Sequence, residues 1–116
     1  MINGFGLRRL ALTSLLLLAA CAGERAYREG VELTEGGQIE QGLEKLQQAV
    51  KESPENKEYR VALMNRRMNA INELLASAEN SFSAGEFAEA EEQYNRVIGI
   101  EKDNSRAQAG LRRIAQ

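Results

Sequence analysis

The chain contains no histidine and no tryptophan, and it has one cysteine and one proline in 116 residues. Each scarcity removes a class of protein. Without histidine there is no imidazole to serve as a general base and no Cys/His zinc site. One cysteine cannot close an intramolecular disulfide. Aromatic residues are only 5% of the chain, so a core must be built from aliphatic side chains and alanine, which favours helices. No P-loop, dinucleotide-binding glycine pattern or metal-ligand spacing occurs. Glutamates such as Glu89, Glu91 and Glu92 fall on polar helix faces, with nothing nearby to desolvate them and raise a pKa. The sequence therefore predicts no enzyme: no catalytic residue, no metal, no cofactor and no small-molecule substrate.

Apolar residues at 43% and charged residues at 28% fit a small globular protein. Arg8 and Arg9 are the only charges before Glu24, and from Cys21 onward thirteen basic residues face seventeen acidic ones, a balance of −4. That excludes a nucleic-acid footprint, and the pairs Arg66-Arg67 and Arg112-Arg113 read as solvated helix faces.

The N-terminus has three parts: "MINGFGLRR" with two positive charges, the apolar run "LALTSLLLLAA", and Cys21. Eleven residues reach about 16 Å as a helix, half of a ~30 Å bilayer core, which suits a signal peptide better than a spanning helix. A buried core helix would show a polar face, and this run shows only Thr13 and Ser14. Leu18-Ala19-Ala20-Cys21 resembles a bacterial lipobox. The resemblance implies that residues 1–20 are a lipoprotein signal peptide, that cleavage precedes Cys21, and that Cys21 carries the acyl chains holding the protein on a membrane. An ordinary secretory signal is the rival. Ala22 stands where lipoproteins retained at the inner membrane often have aspartate, so the resemblance points to the outer membrane, facing the periplasm.

The remaining chain repeats itself. "GQIEQGLEKLQQAVKESPEN" (37–56) aligns with "GEFAEAEEQYNRVIGIEKDN" (85–104) at an offset of 48. Gly37 meets Gly85, Gly42 meets Ala90, Leu46 meets Tyr94, Ala49 meets Val97, Asn56 meets Asn104 and, upstream, Gly30 meets Ala78. Small residues recur at two points with large apolar residues between them. The pattern resembles the tetratricopeptide repeat, with units at about 23–56 and 71–104 and a final helix over 104–116. Ala26 and Leu74 replace the consensus tryptophan, and Lys102 replaces the second proline. The period exceeds that of the family by fourteen residues, 57–70, which contain neither Gly nor Pro. Fourteen residues are nearly four helical turns, so the insertion lengthens a helix without rotating its face.

The expected fold is thus all-α: helix-turn-helix repeats with one elongated helix after a signal peptide. Helices are predicted over 24–35, 38–52, 54–83, 86–101 and 104 to the end. Ser53 and Pro54 are read as the N-cap and first residue of the long helix, and Asp103 as the cap of the last. Val61, Met64, Met68, Ile71, Leu75, Ala78 and Phe82 form a 3-4 seam along the long helix. The tail "NSRAQAGLRRIAQ" sets Ala107, Leu111 and Ile114 on one side. It reads as a capping helix or as the first helix of a third unit, and its match to the start of a helix favours the second.

In the repeat family the first helix of each unit lines a concave groove. The corresponding positions are Glu24, Tyr27, Val31 and Thr34 in the first unit, and Asn72, Leu75, Glu79 and Phe82 in the second. They are read either as packing against the next helix or as a site for a partner's peptide or helix. The layout also resembles the N-terminal region of secretin-like lipoproteins of type II secretion and type IV pilus systems. This implies a protein-binding scaffold of an envelope machine, whose partners are envelope proteins and, through Cys21, the membrane. Rivals are a stand-alone pilotin-like or outer-membrane-assembly lipoprotein, and an accessory domain that presents a cell-wall enzyme.

Overall fold

The computed structural model describes residues 4–116, and among these it is all-helical, without a strand. The first three residues of the predicted signal, the side chains of residues 4–7 and of Leu16, and the side chain of Ala19 in the predicted cleavage box lie outside the described set. Five helices follow in order: α1 (Gly4–Glu35), α2 (Ile39–Glu52), α3 (Lys57–Ser83), α4 (Phe87–Ile100) and α5 (Ser105–Ala115). The chain divides into two compact units, the first ending at Met64 and the second running Asn65–Gln116.

In the first unit α1 packs on α2. The turn between them is a Schellman motif: Gln38 N–H donates to Leu33 O (2.9 Å) and Gly37 N–H to Thr34 O (3.3 Å), with Gly37 at φ +88°. Only glycine takes that φ without a Cβ penalty. The helices cross where both side chains are missing. A Cβ on Gly30 would sit 2.9 Å from the Gly42 carbonyl oxygen, and one on Gly42 would sit 2.8 Å from the Thr34 nitrogen. Ala26, Leu43, Leu46 and Ala49 are buried around the crossing, and Tyr59, from the start of α3, closes over Ala26 and Ala49.

The second unit repeats this geometry 48 residues on. α4 begins and ends 48 residues after α2. Glu86 N–H donates to Ser81 O (2.9 Å), Gly85 N–H to Phe82 O (3.0 Å), and Gly85 has φ +80°. Ala78 and Ala90 replace Gly30 and Gly42 and are fully buried. Ile71, Leu74, Leu75, Tyr94, Val97 and Ala107 complete the core, with Leu111 and Ile114 of α5 packed at its margin.

Four expectations are corrected. The first helix starts at Gly4 rather than near 24, because the Leu/Ala run and the segment after Cys21 contain no proline and join in one helix that tolerates Gly23 and Gly30. The long helix starts at Lys57, not Pro54. Ser53 instead terminates α2, its N–H donating to Ala49 O (3.0 Å), and Pro54-Glu55 make a turn in which Asn56 N–H donates to Ser53 O (3.0 Å). Asn56 is the cap, its side-chain oxygen accepting from Tyr59 N–H (3.3 Å). Asn104 rather than Asp103 caps α5, accepting from Ala107 N–H (2.9 Å).

The fourth concerns the seam on α3, which is buried only in its second half. Ile71, Leu75 and Ala78 are in the core, and Phe82 is half-buried. Val61, Met64 and Met68 are 50%, 59% and 54% exposed. Early in α3 the packed side is the one carrying Tyr59, and from Ile71 onward it is the one facing α4. A single stripe cannot serve both.

Candidate functional site

Cys21 is an exposed free thiol on α1. Before it, Leu10, Leu12, Leu15, Leu17 and Leu18 are 64–71% exposed. After it, Gly23 and Ala26 are already buried, Gly23 against Ser53 and Tyr59. The change from unburied apolar run to packed core thus falls at the cysteine. The helical stretch Arg8–Glu35 contains an 18-residue window of mean hydropathy 1.3, long and apolar enough by length and composition to cross a membrane, a property that signal sequences share.

The predicted groove positions have different fates. In the first unit Glu24 is exposed, and Tyr27, Val31 and Thr34 are half-buried. Tyr27 stacks on Tyr59 with ring centroids 4.8 Å apart and planes 21° from parallel, and its hydroxyl donates to Glu58 Oε1 (3.4 Å). Thr34 lies against Gly42, and its hydroxyl donates to Val31 O (2.9 Å). Tyr27 and Thr34 therefore have intramolecular partners. Burial, then the charges of Glu24 and Glu58, push the Tyr59 phenol up from its ordinary value.

In the second unit Asn72 is exposed, but Leu75 is only 2% exposed and belongs to the core. Glu79 accepts from the Tyr94 hydroxyl (2.8 Å) and from Arg113 Nη2 at both carboxylate oxygens (2.9 Å each). Arg113 also donates to the Tyr94 oxygen (3.1 Å) and lays its guanidinium 4.4 Å from the Phe82 ring centroid. Phe82 packs edge-on against Phe87 at 5.3 Å. Of the four positions α5 thus covers Glu79 and Phe82. The Arg113 bonds, then that of Tyr94, hold the Glu79 carboxyl below its usual range, and burial with the Glu79 charge pushes the Tyr94 phenol up. Sequence reasoning placed Arg113 away from the packed side. Its link to Glu79 spans 34 residues and left no local signal.

Glu29 of α1 bonds Lys45 (2.9 Å) and Arg25 (3.0 Å), which lower its pKa in that order. It borders an open depression of about 360 Å³ with Glu32, Leu33, Gly36 and Gln38. No group of three metal-ligating side chains occurs among the described residues. Compared with family models, curated proteins and solved structures, the chain matches none.

Proposed function

We propose that the chain is a lipid-anchored helical-repeat scaffold of a bacterial envelope. In this reading residues 1–20 are a lipoprotein signal peptide and Cys21 is the acylated residue. Residues 21–116 are tetratricopeptide-like repeats facing the periplasm from the outer membrane. The observation that carries the anchor is the change of burial at Cys21: five exposed leucines before it, and packed residues from Gly23 onward. Exposed leucine is unfavourable in water, by about 25 cal/mol per Å², and a membrane or removal of the segment relieves it.

The recurrence of turn, crossing and cap geometry at 48 residues supports the repeat reading. Arrays of helical hairpins bury their apolar faces on one another and offer the remaining faces to partners. This favours a scaffold role in assembling a secretion or pilus machine. A second reading follows from the unbroken helix through Cys21, namely that the apolar part of α1 ahead of Gly23 stays in place in the membrane while Gly23–Glu35 keeps its packing on α2.

The test is the intact mass of the protein extracted from membranes, together with Cys21→Ser. Loss of residues 1–20 plus the mass of acyl chains, both abolished in the serine variant, supports the anchor. A chain of full length and unmodified mass overturns it in favour of the second reading. Native pull-down from outer membranes then reads the scaffold role, which fails if no component of a secretion or pilus machine is recovered.

A further inference from the structure

We infer that the first three turns of α3 rest on an anionic lipid surface, as a second membrane contact beside the anchor. The inference builds on the membrane-anchored reading above. Val61, Met64 and Met68 are the large apolar residues most exposed beyond Cys21, together with Phe87. Their spacing on one continuous helix puts them within a narrow arc. Lys57 lies in the same arc, and Arg60 and Arg67 lie along one edge of it. The residues between 57 and 68 hold four of the thirteen basic side chains that follow Cys21 but only one of the seventeen acidic ones.

A basic, apolar stripe on an otherwise acidic chain is complementary to phosphate head groups over acyl chains. Position agrees with charge. Gly23, two residues from the attachment point, packs against Ser53 and Tyr59, so the start of α3 lies beside the anchor. Tyr27 on Tyr59 holds the two together. The stripe's failure to join the core, unlike Ile71 and Leu75 on the same helix, leaves it available.

Methionine oxidation reads this surface in the intact protein. The full chain, isolated from membranes, is placed in vesicles of phosphatidylcholine alone or with phosphatidylglycerol and treated with chloramine-T, a water-borne oxidant. Sulfoxide at Met64 and Met68 is followed by peptide mass. Oxidation is expected to slow about fivefold or more with phosphatidylglycerol, in line with the attraction of each basic residue to an anionic surface. The protection should vanish in high salt and in the Lys57→Gln/Arg67→Gln variant.

Equal rates in the two kinds of vesicle overturn the inference. So does protection that follows protein density and ignores lipid charge, which identifies a second copy as the cover. The anchor is read separately from the intact mass. An acylated chain with equal oxidation rates ends the docking alone. A full-length chain without acyl groups ends the anchor, and its apolar α1 still seats it in the vesicles; a chain cleaved near Cys21 and not acylated ends the anchor too, and its oxidation rates with the same vesicles added decide the docking.

Discussion

The phenol end of Tyr94 occupies the place where a side chain on Gly110 would begin. A Cβ at Gly110 would run into the ring carbons next to the hydroxyl. Tyr94 is fully buried, and its hydroxyl is held by Glu79 and Arg113, so the ring cannot swing aside. Gly110→Ala should therefore destabilise the protein by about 1–3 kcal/mol, the usual cost of overpacking. Gly99, in the exposed part of α4, has nothing near its missing Cβ. Gly99→Ala should stabilise by about 0.5–1 kcal/mol through helix propensity and chain entropy. Urea melts of the two variants check the contrast, and equal destabilisation would rule out the Tyr94 contact as its cause.

The crossings make a parallel demand. Gly30 and Gly42 have backbone atoms under 3 Å from where their Cβ atoms would lie, and Ala78 and Ala90 are fully buried at the equivalent points. Ala90→Leu should cost about 1–3 kcal/mol, whereas Glu91→Leu, on the exposed face of the same helix, should change stability little. Thermal melts decide. If Glu91→Leu costs as much, the crossing is not where small residues matter.

These crossings were legible in the sequence because close approach needs small residues and leaves them at fixed spacing. The turns were legible because Gly37 and Gly85 mark positive φ. The seam on α3 was not. Val61 and Met68 carry the same 3-4 spacing as Ile71 and Leu75, and periodicity reports a stripe without saying what covers it. The covering of Glu79 by Arg113 was hidden for the related reason that α5 is a non-local neighbour. The cap at Asn56 was obscured by the Ser53-Pro54 pair, a good start signal whose serine was already engaged at the end of α2.

Glu79 links folding to acid. Its carboxyl is held below the usual range by Arg113 and then Tyr94. A lowered pKa in the folded state means the stabilisation is complete above the ordinary carboxylate range and is lost as pH falls through the folded value. Glu79→Gln should lower the melting temperature at neutral pH and lose less than wild type on acidification, so the two curves converge. Glu29, also lowered, keeps its share of the acid response in the variant. Parallel curves across pH 3–7 would show that Glu79 contributes through packing alone.

The helix caps separate the observed boundaries from the expected ones. Asn56 and Asn104 accept from the N–H groups of Tyr59 and Ala107, three residues on, and each of those residues is buried in its unit's core. Loss of the side-chain oxygen leaves a donor at the first turn without its partner and loosens the residue that the core depends on. Asn104→Ala and Asn56→Ala should each cost about 1 kcal/mol, within the usual range for an N-cap. The Asn104 bond is the shorter, at 2.9 Å against 3.3 Å, so its variant should lose more. Asp103, adjacent and exposed, should tolerate alanine within about 0.5 kcal/mol. Denaturant midpoints of the three variants measure this directly. A larger loss at Asp103 than at Asn104 would move the start of α5 back to the position expected from sequence.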